Sequence, residues 1–408
     1  AIAVSHRIAV VPRGGASSCL GSSSPSRGGM SLDLKKMNKI LEIDTENGTV
    51  RVEPGVTFMS LDEELEKHGM ELGIYPSSAK SAVIGGWIGC GGKAGIGTPM
   101  HGTLAENLVE LKVVHSNGTL TTISGSDLEL YDGSYGILGV IVEATLKMRP
   151  KPETVKTLSY GFAYLEHVCN AMLGITKSLH KPIYLKIADA PFQGYSNPLH
   201  KGKYVLSVTY AGDTAPAAEI EIGTVISESG GAYLGDDYSA KEWALRYDCE
   251  FNPKEHCDTL MFQEVWVDTE HAYDILKAFE KYKKTHKAPL IWFGMLGTNG
   301  KIRLELVALL NPDQYLEFIS SKGILHKMVK RAIKRNGGPY TIGLQNSIYM
   351  KRAYPERLES MKSIKASVDP SNIMNPDRVT SCLTSYGRIN VLFVLAAAFR
   401  RLGKFVAR

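Results

Sequence analysis

The sequence predicts a mixed α+β chain of two domains, and three observations carry that reading. Its 408 residues exceed what one ordinary core encloses, since domains of roughly 100–150 residues are the commonest. Ile43–Val52 and Leu108–Ile123 are β-rich, and each is broken by an Asn-Gly pair, Asn47-Gly48 and Asn117-Gly118, the dipeptide that closes tight hairpins. Leu61–Gly69 instead has helical spacing, with Leu61 and Leu65 on one face and charges opposite.

Taken in order, apolar Ile8–Val11 reads as a short buried strand. It runs into Pro12-Arg13-Gly14-Gly15-Ala16-Ser17-Ser18, a turn offering backbone N–H groups, hydroxyls and one guanidinium, which suits a pyrophosphate. Further on, seven glycines fall within the thirteen residues Gly85–Gly97. Glycine loses the most conformational freedom on folding, so this density persists where backbone closely approaches something, commonly a phosphate or a flat cofactor ring. Ile84, Trp87, Ile88 and Ile96 interleave the glycines, unlike a flexible linker of Gly and Ser. A third glycine turn, Asp132–Ile141, leads into the strand Val140–Lys147. Neither of the first two is G-x-G-x-x-G opening a helix in a βαβ unit, nor a P-loop.

Hydrophobic residues at 44% with 22% charged are ordinary for a soluble globular protein. The six cysteines (19, 90, 169, 249, 257 and 382) form no C-x-x-C pair, which argues against a zinc ribbon or an iron–sulfur cluster on this chain. A disulfide framework is not expected at this length, and the thiols read as reduced and cytosolic. Residues 1–380 carry 42 basic and 42 acidic side chains, so the net +5 lies wholly in residues 381–408. There Arg400, Arg401, Lys404 and Arg408 share one helical arc, opposite Val391, Leu395, Ala398, Leu402 and Phe405. The apolar run Val391–Phe399 is too short to span a bilayer. A basic amphipathic helix suits an anionic membrane surface, a partner subunit's groove or the protein's own body. No signal peptide is visible, and the expected location is cytoplasmic, with peripheral contact on the inner face of the membrane if the first of those three roles is the tail's. The neutral body, lacking a recognised module, gives no support for nucleic-acid binding.

Arg13–Ser18, the long segment Ile84–Gly102, Gly133–Ile141 and the late turn Asp369–Pro376 together resemble the FAD-linked oxidases related to vanillyl-alcohol oxidase. The resemblance is strongest to the D-lactate dehydrogenase and glycolate oxidase branch. It implies an α+β flavin domain of two small subdomains, N-terminally trimmed here, and a second domain with an antiparallel sheet flanked by helices. The expected limits are 1–152 for the FAD domain, 153–365 for the cap, 366–380 for a return segment and 381–408 for the tail. The resemblance further implies FAD contacts from Pro12, Arg13, Gly14, Gly15, Ala16, Ser17 and Ser18, and from Pro76, Ser77 and Ser78. Others are expected from Ile84, Gly85, Gly86, Gly89, Gly91, Gly92, His101 and Gly102, and from Gly136, Gly139, Val140, Ile141 and Asn375. Pyrophosphate is expected on the amides of Arg13–Ser18 and Gly85–Gly92, with adenine and ribose near Val140–Val142. Relatives with a covalent flavin use a histidine in the first loop; none stands in Gly15–Ser18, so non-covalent FAD is expected.

The family's metal-binding histidine segment corresponds to Phe293–Leu304, where the histidine positions hold Met295 and Ile302, so no metal is expected. A further family histidine aligns with Gln345, which is no base near neutral pH. Lys301, Arg303 and Glu305 share a face of an alternating, half-buried strand. Arg303 is either the ligand of a substrate carboxylate or half of a surface Arg–Glu pair. Tyr349 either donates over the flavin or packs at a domain seam, and His101 either touches the ring or is a loop histidine. The implied activity is dehydrogenation of a small 2-hydroxy acid such as D-lactate or glycolate, by hydride transfer to flavin N5. Electrons would pass to a quinone, cytochrome or iron–sulfur partner rather than NAD. Two alternatives stand beside it: a flavin-bearing electron-transfer subunit, and an oxidase or reductase of a sugar, lactone or sterol.

Overall fold

The computed structural model describes residues 2–391 except 19, 213, 214, 249, 287, 288, 312, 314 and 390. The basic arc of the tail lies outside the described residues. The chain divides into one unit of residues 1–151 with 341–383 and another of 152–340 with 384–408. It re-enters the first unit at Thr341, ahead of the expected 366.

In the first unit, β1 (Val10–Arg13) pairs in parallel with β2 (Met30–Asp33). The other strands are β3 (Ile40–Asp44), β4 (Thr49–Val52), β5 (Met70–Glu71), β6 (Leu108–Val114), β7 (Leu120–Ser124), β8 (Val140–Lys147) and β9 (Arg149–Pro150). Five of them form an antiparallel sheet in the order β3-β4-β8-β6-β7, while β5 pairs with β9. The hairpins β3–β4 and β6–β7 turn at the two Asn-Gly pairs, with Gly48 at φ +64° and Gly118 at φ +87°, a region that favours glycine. Alternate residues Val50, Val52, Leu111, Val113, Ala144 and Leu146 are buried. The helix Phe58–Glu66 starts where the Thr57 side chain accepts from the Ser60 amide at 3.1 Å, and it buries Phe58, Leu61 and Leu65. The late segment returns to β1: Val10 N–H donates to Ile373 O and Asn375 N–H to Val10 O, both at 2.8 Å. Val10, Val140, Ile373 and Met374 close a small core there.

The second unit holds β10 (Val155–Phe162), β11 (Tyr184–Asp189), β12 (Tyr204–Ala211), β13 (Ala232–Tyr233), β14 (Thr259–Asp268), β15 (Leu290–Leu296), β16 (Lys301–Leu310) and β17 (Gly338–Pro339). They form one antiparallel sheet in the order β13-β10-β12-β11-β15-β16-β14-β17. Helices Leu165–Lys177, Ala215–Glu228, Ala272–Lys283 and Tyr315–Ile333 pack on it. The alternation in β16 predicts a half-buried strand, but every residue after Lys301 is buried. The strand is central, flanked by β15 and β14, and its charges are neutralised from within.

Candidate functional site

The three glycine segments meet within the first unit. A Cβ added to Gly14 would lie 2.5 Å from Val83 Cγ2 and 3.3 Å from Gly86 Cα, and one added to Gly15 would run into the carbonyl oxygen of Ser81. Gly91 (φ +86°) crosses Gly133 (φ +72°), its Cβ position only 3.1 Å from Gly133 Cα. Gly136 (φ +70°) lies against the Pro12 ring, at 3.0 Å. Positive φ and these approaches together admit only glycine.

Residues Ile84–Cys90 form a short helix rather than an extended run of free amides. This corrects the expectation for Gly85–Gly92: the amides of Ile84 and Gly85 donate to Val56 O at 2.9 Å and Pro54 O at 2.8 Å. Among the described residues, the amides of Gly14, Gly15, Ala16 and Gly86 have no acceptor. Three of them lie close together: the Gly86 nitrogen is 3.5 Å from the Cβ position of Gly14, and the Gly15 nitrogen is 3.9 Å from that of Gly86. Unsatisfied main-chain donors brought this close suit an anion, and they fit the pyrophosphate of FAD. Gly89 opens to the same helix's free side, where an added Cβ would meet nothing within 4 Å.

Other glycines of the second segment serve chain packing. Gly85 lies on Pro54, Gly92 on Trp87 and Leu104, Gly95 on Tyr75 O and Gly97 on Gly73 O. Pro76 and Ser77 are buried, and Ser78 O accepts the amides of Ser81 and Ala82 at 2.9 Å, shaping the turn under Gly15. Arg13 is exposed, while Ser17 and Ser18 are half-buried. Gly102 (φ +87°) faces Glu106, and Gly139 (φ +149°) packs on Val113 and Val114. Val140 and Ile141 are buried, Val140 in the small core beside Val10, so it is the Val140 main chain rather than its side chain that remains for a nucleotide. Burial first, and Arg149 second, push the His101 imidazole down to about 4, so it is neutral near pH 7. The Asn375 side-chain amide donates to Tyr135 O at 2.6 Å and Ser22 O at 3.0 Å, and its Oδ1 is buried without a partner. Tyr135 is a residue the sequence did not flag. At φ +56°, its N–H donates to Gly89 O at 2.7 Å, and its hydroxyl donates to Cys90 O at 3.0 Å and accepts from Ile342 N–H at 2.7 Å.

Comparison with known proteins agrees with this arrangement. Residues 1–124 match the family model described as FAD binding domain, and residues 151–379 match that of FAD linked oxidases, C-terminal domain. The chain belongs to the FAD-linked oxidases. Its cofactor is FAD, and its fold is the family's α+β flavin domain with an antiparallel-sheet cap domain. It is 27% identical to glycolate oxidase subunit GlcD of Bacillus subtilis (strain 168), over 92% of this chain and 84% of that protein. It is 25% identical to the mitochondrial D-lactate dehydrogenase [cytochrome] of Arabidopsis thaliana, over 92% of this chain and 69% of that protein. The solved structure of p-cresol methylhydroxylase with substrate bound shares the fold at TM-score 0.76, with 16% identity over 94% of this chain and 86% of that one.

In the cap domain of this FAD-linked oxidase, Arg303 is buried, not surface-exposed. Its guanidinium is paired with Glu250 and, at 3.2 Å, with Glu264 Oε1, and it lies over the rings of Phe293 and Tyr340. With two carboxylates already on it inside the domain, Arg303 is neither an open ligand for a substrate carboxylate nor half of a surface pair, which corrects both expectations for the face shared by Lys301, Arg303 and Glu305. Lys301 alone stays partly exposed, 2.8 Å from Asp268. Glu305 is buried beside the group, and burial, then Glu250, raise its pKa well above the carboxylate range against the pull of Arg303. Met295 and Ile302 are buried, and among the described residues no three His, Cys, Asp or Glu side chains are grouped to hold a metal ion. Gln345 is exposed and Tyr349 buried, in a segment whose Leu344 amide donates to Leu20 O at 2.9 Å, next to the first glycine loop.

A different arginine has the properties sought. The guanidinium carbon of Arg246 lies 4.3 Å from the Trp243 ring centroid and 4.5 Å from that of Tyr247. Its Nη1 donates to Trp243 O at 2.8 Å, its Nε is buried without an acceptor, and among the described residues no carboxylate pairs with it. The sequence signal was an arginine flanked by aromatics at Trp243-Ala-Leu-Arg246-Tyr247.

Proposed function

We propose that this FAD-linked oxidase dehydrogenates a small 2-hydroxy acid of the D-lactate or glycolate type and passes the electrons to a quinone, cytochrome or iron–sulfur acceptor. The observation that carries the substrate class is Arg246, a cation lying over the Trp243 and Tyr247 rings and without an acidic partner among the described residues. Ring stacking presets the fork of a guanidinium, so a carboxylate is bound bidentately with little loss of freedom. The names of the similar glycolate oxidase subunit and D-lactate dehydrogenase support the same class.

The amides of Gly14, Gly15, Ala16 and Gly86 would hold the FAD pyrophosphate without a covalent bond. When bound, the flavin supplies the two-electron acceptor for the substrate carbon. Neutral His101 adds no positive charge to its surroundings. Anaerobic mixing of the holoprotein with a panel of 2-hydroxy acids tests the reading, with flavin bleaching by one of them as the expected result. Bleaching by dithionite but by no hydroxy acid would overturn it in favour of an electron-transfer subunit, which the non-basic Gln345, Met295 and Ile302 also suit.

A further inference from the structure

We propose that Asp132 is a positioning residue for the flavin: its ionised carboxylate locks the crossing of the second and third glycine segments, and protonating it loosens FAD. The inference rests on the assignment of FAD to the three glycine segments.

Asp132 stands immediately before Gly133, the residue that crosses Gly91. Its side chain is buried, and Oδ2 is 3.9 Å from the position a side chain on Gly91 would take. The groups facing the carboxyl come from three segments. The Gly92 amide donates to it, Lys93 and Arg357 attract it, and Glu129 repels it. Arg357, on the helix Pro355–Val368, also clamps the turn by donating to the main-chain oxygens of Asp132 and, at 3.1 Å, Glu129. Oδ1 is buried with no hydrogen-bond partner. The adjoining main chain is stitched by Gly133 N–H to Ile88 O at 2.7 Å and by Tyr135 N–H to Gly89 O at 2.7 Å. The carboxylate thus holds the one turn, Gly91–Gly92, through which the helix bearing Gly86 and Gly89 connects onward.

A carboxylate here is expensive, because an incompletely bonded buried charge is disfavoured, and a neutral amide of the same shape would serve simple packing. Burial raises the Asp132 pKa to about 6, against the pull of Lys93 and Arg357. Near pH 7 the group is ionised and the bond from the Gly92 amide is charge-assisted; below that midpoint the bond loses that assistance and the turn is released. His101, at about 4, stays neutral throughout. Glu71, at about 7, does titrate nearby in pH, but it interacts with Asp62, Arg149 and Lys151 rather than Asp132.

The test is FAD retention, measured by flavin fluorescence of the ultrafiltrate, for holoprotein between about pH 5 and pH 8. Wild type is expected to bind FAD about tenfold more weakly at the acid end, with a midpoint near the Asp132 pKa. Asp132→Asn should bind weakly throughout and lack the step. Lys93→Met should keep the step but shift it to higher pH, because a cation favouring the ionised form is gone. An unchanged step in Asp132→Asn overturns the proposal; if that variant does not fold, an unmoved midpoint in Lys93→Met does so. Gly86→Val separates the two levels. Normal FAD content in that variant means FAD does not lie at these segments, whereas its loss, combined with a wild-type step in Asp132→Asn, removes only the role of Asp132.

Discussion

The side-chain amide of Asn375 donates to the main-chain oxygen of Tyr135 at 2.6 Å. Its second bond, to Ser22 O at 3.0 Å, reaches just beyond the first glycine loop. Asn375 itself is in the left-handed region, at φ +35°, and Tyr135 at φ +56°. Two non-glycine residues therefore hold disfavoured backbone conformations where the late segment, the third glycine segment and the first loop come together. Such conformations persist only when surrounding bonds over-determine them. Here those bonds fix Gly89, Cys90 and Ile342 as well.

Tyr135→Phe should accordingly destabilise the protein far more than loss of one hydroxyl at a surface. It leaves the Ile342 amide without its side-chain acceptor and Cys90 O without its donor. A buried group left unsatisfied costs about 1–3 kcal/mol. Denaturant unfolding is expected to show a loss in that range, and a change below about 0.5 kcal/mol would mean the hydroxyl is not a structural hub.

Gly15→Ala and Gly89→Ala should differ in sign. At Gly15 the new methyl meets the Ser81 carbonyl oxygen, so overpacking of about 1–3 kcal/mol is expected, together with loss of flavin. At Gly89, within the helix Ile84–Cys90, the methyl meets open space. Alanine there should raise apoprotein stability by roughly 0.5–1 kcal/mol, because glycine is the poorer helix former. FAD content should nevertheless fall, since the methyl stands on the side assigned to the cofactor. A stabilised Gly89→Ala with full flavin absorbance would remove Gly89 from the cofactor wall.

What the sequence disclosed follows from how local each signal is. The two hairpins were legible because an Asn-Gly turn encodes its own positive φ, as Gly48 and Gly118 have. The glycine segments were legible as places of close approach, but not what approaches: Gly95 and Gly97 meet neighbouring main chain, whereas Gly89 meets nothing. The helix Ile84–Cys90 was hidden because three glycines in seven residues argue against a helix. Burial of Ile84, Trp87 and Ile88, and the carbonyls of Pro54 and Val56, override that preference. In β16 the alternation was visible and the burial was not, because Arg303 is neutralised by Glu250 and Glu264 from distant parts of the sequence.

The two cap arginines should respond differently to methionine. Arg303→Met leaves Glu250 and Glu264 buried without their cation, and breaking a buried pair in this way costs about 3–5 kcal/mol. Arg246→Met strands no carboxylate among the described residues, so stability should change by only about 1 kcal/mol, the stacking lost. Its effect belongs to the substrate: loss of a charge-assisted bidentate contact should raise KM for the hydroxy acid about 30-fold or more, with flavin content unchanged. Steady-state kinetics on each variant decide it, and an unaltered KM in Arg246→Met would dismiss that residue as the carboxylate ligand.

Glu305→Gln should make stability less dependent on pH. Burial is the largest cause raising the Glu305 pKa, Glu250 adds to it, and Arg303 opposes it. Because the native pKa lies above the ordinary 4.5, the folded protein keeps a proton that the unfolded chain releases. Stability from this group is therefore complete below the ordinary value and declines as pH rises through the native one. Glutamine copies the protonated carboxyl in size and donor capacity but has no proton to lose. Melting temperatures of the two proteins should be similar near the ordinary carboxylate pKa, with the variant increasingly favoured as pH rises toward 8. The carboxylates of Glu250 and Glu264 remain to hold Arg303, so the substitution should not open the cluster. If instead Glu305→Gln is less stable than wild type at pH 8, Glu305 is ionised in the native state and serves as a third counter-charge to Arg303.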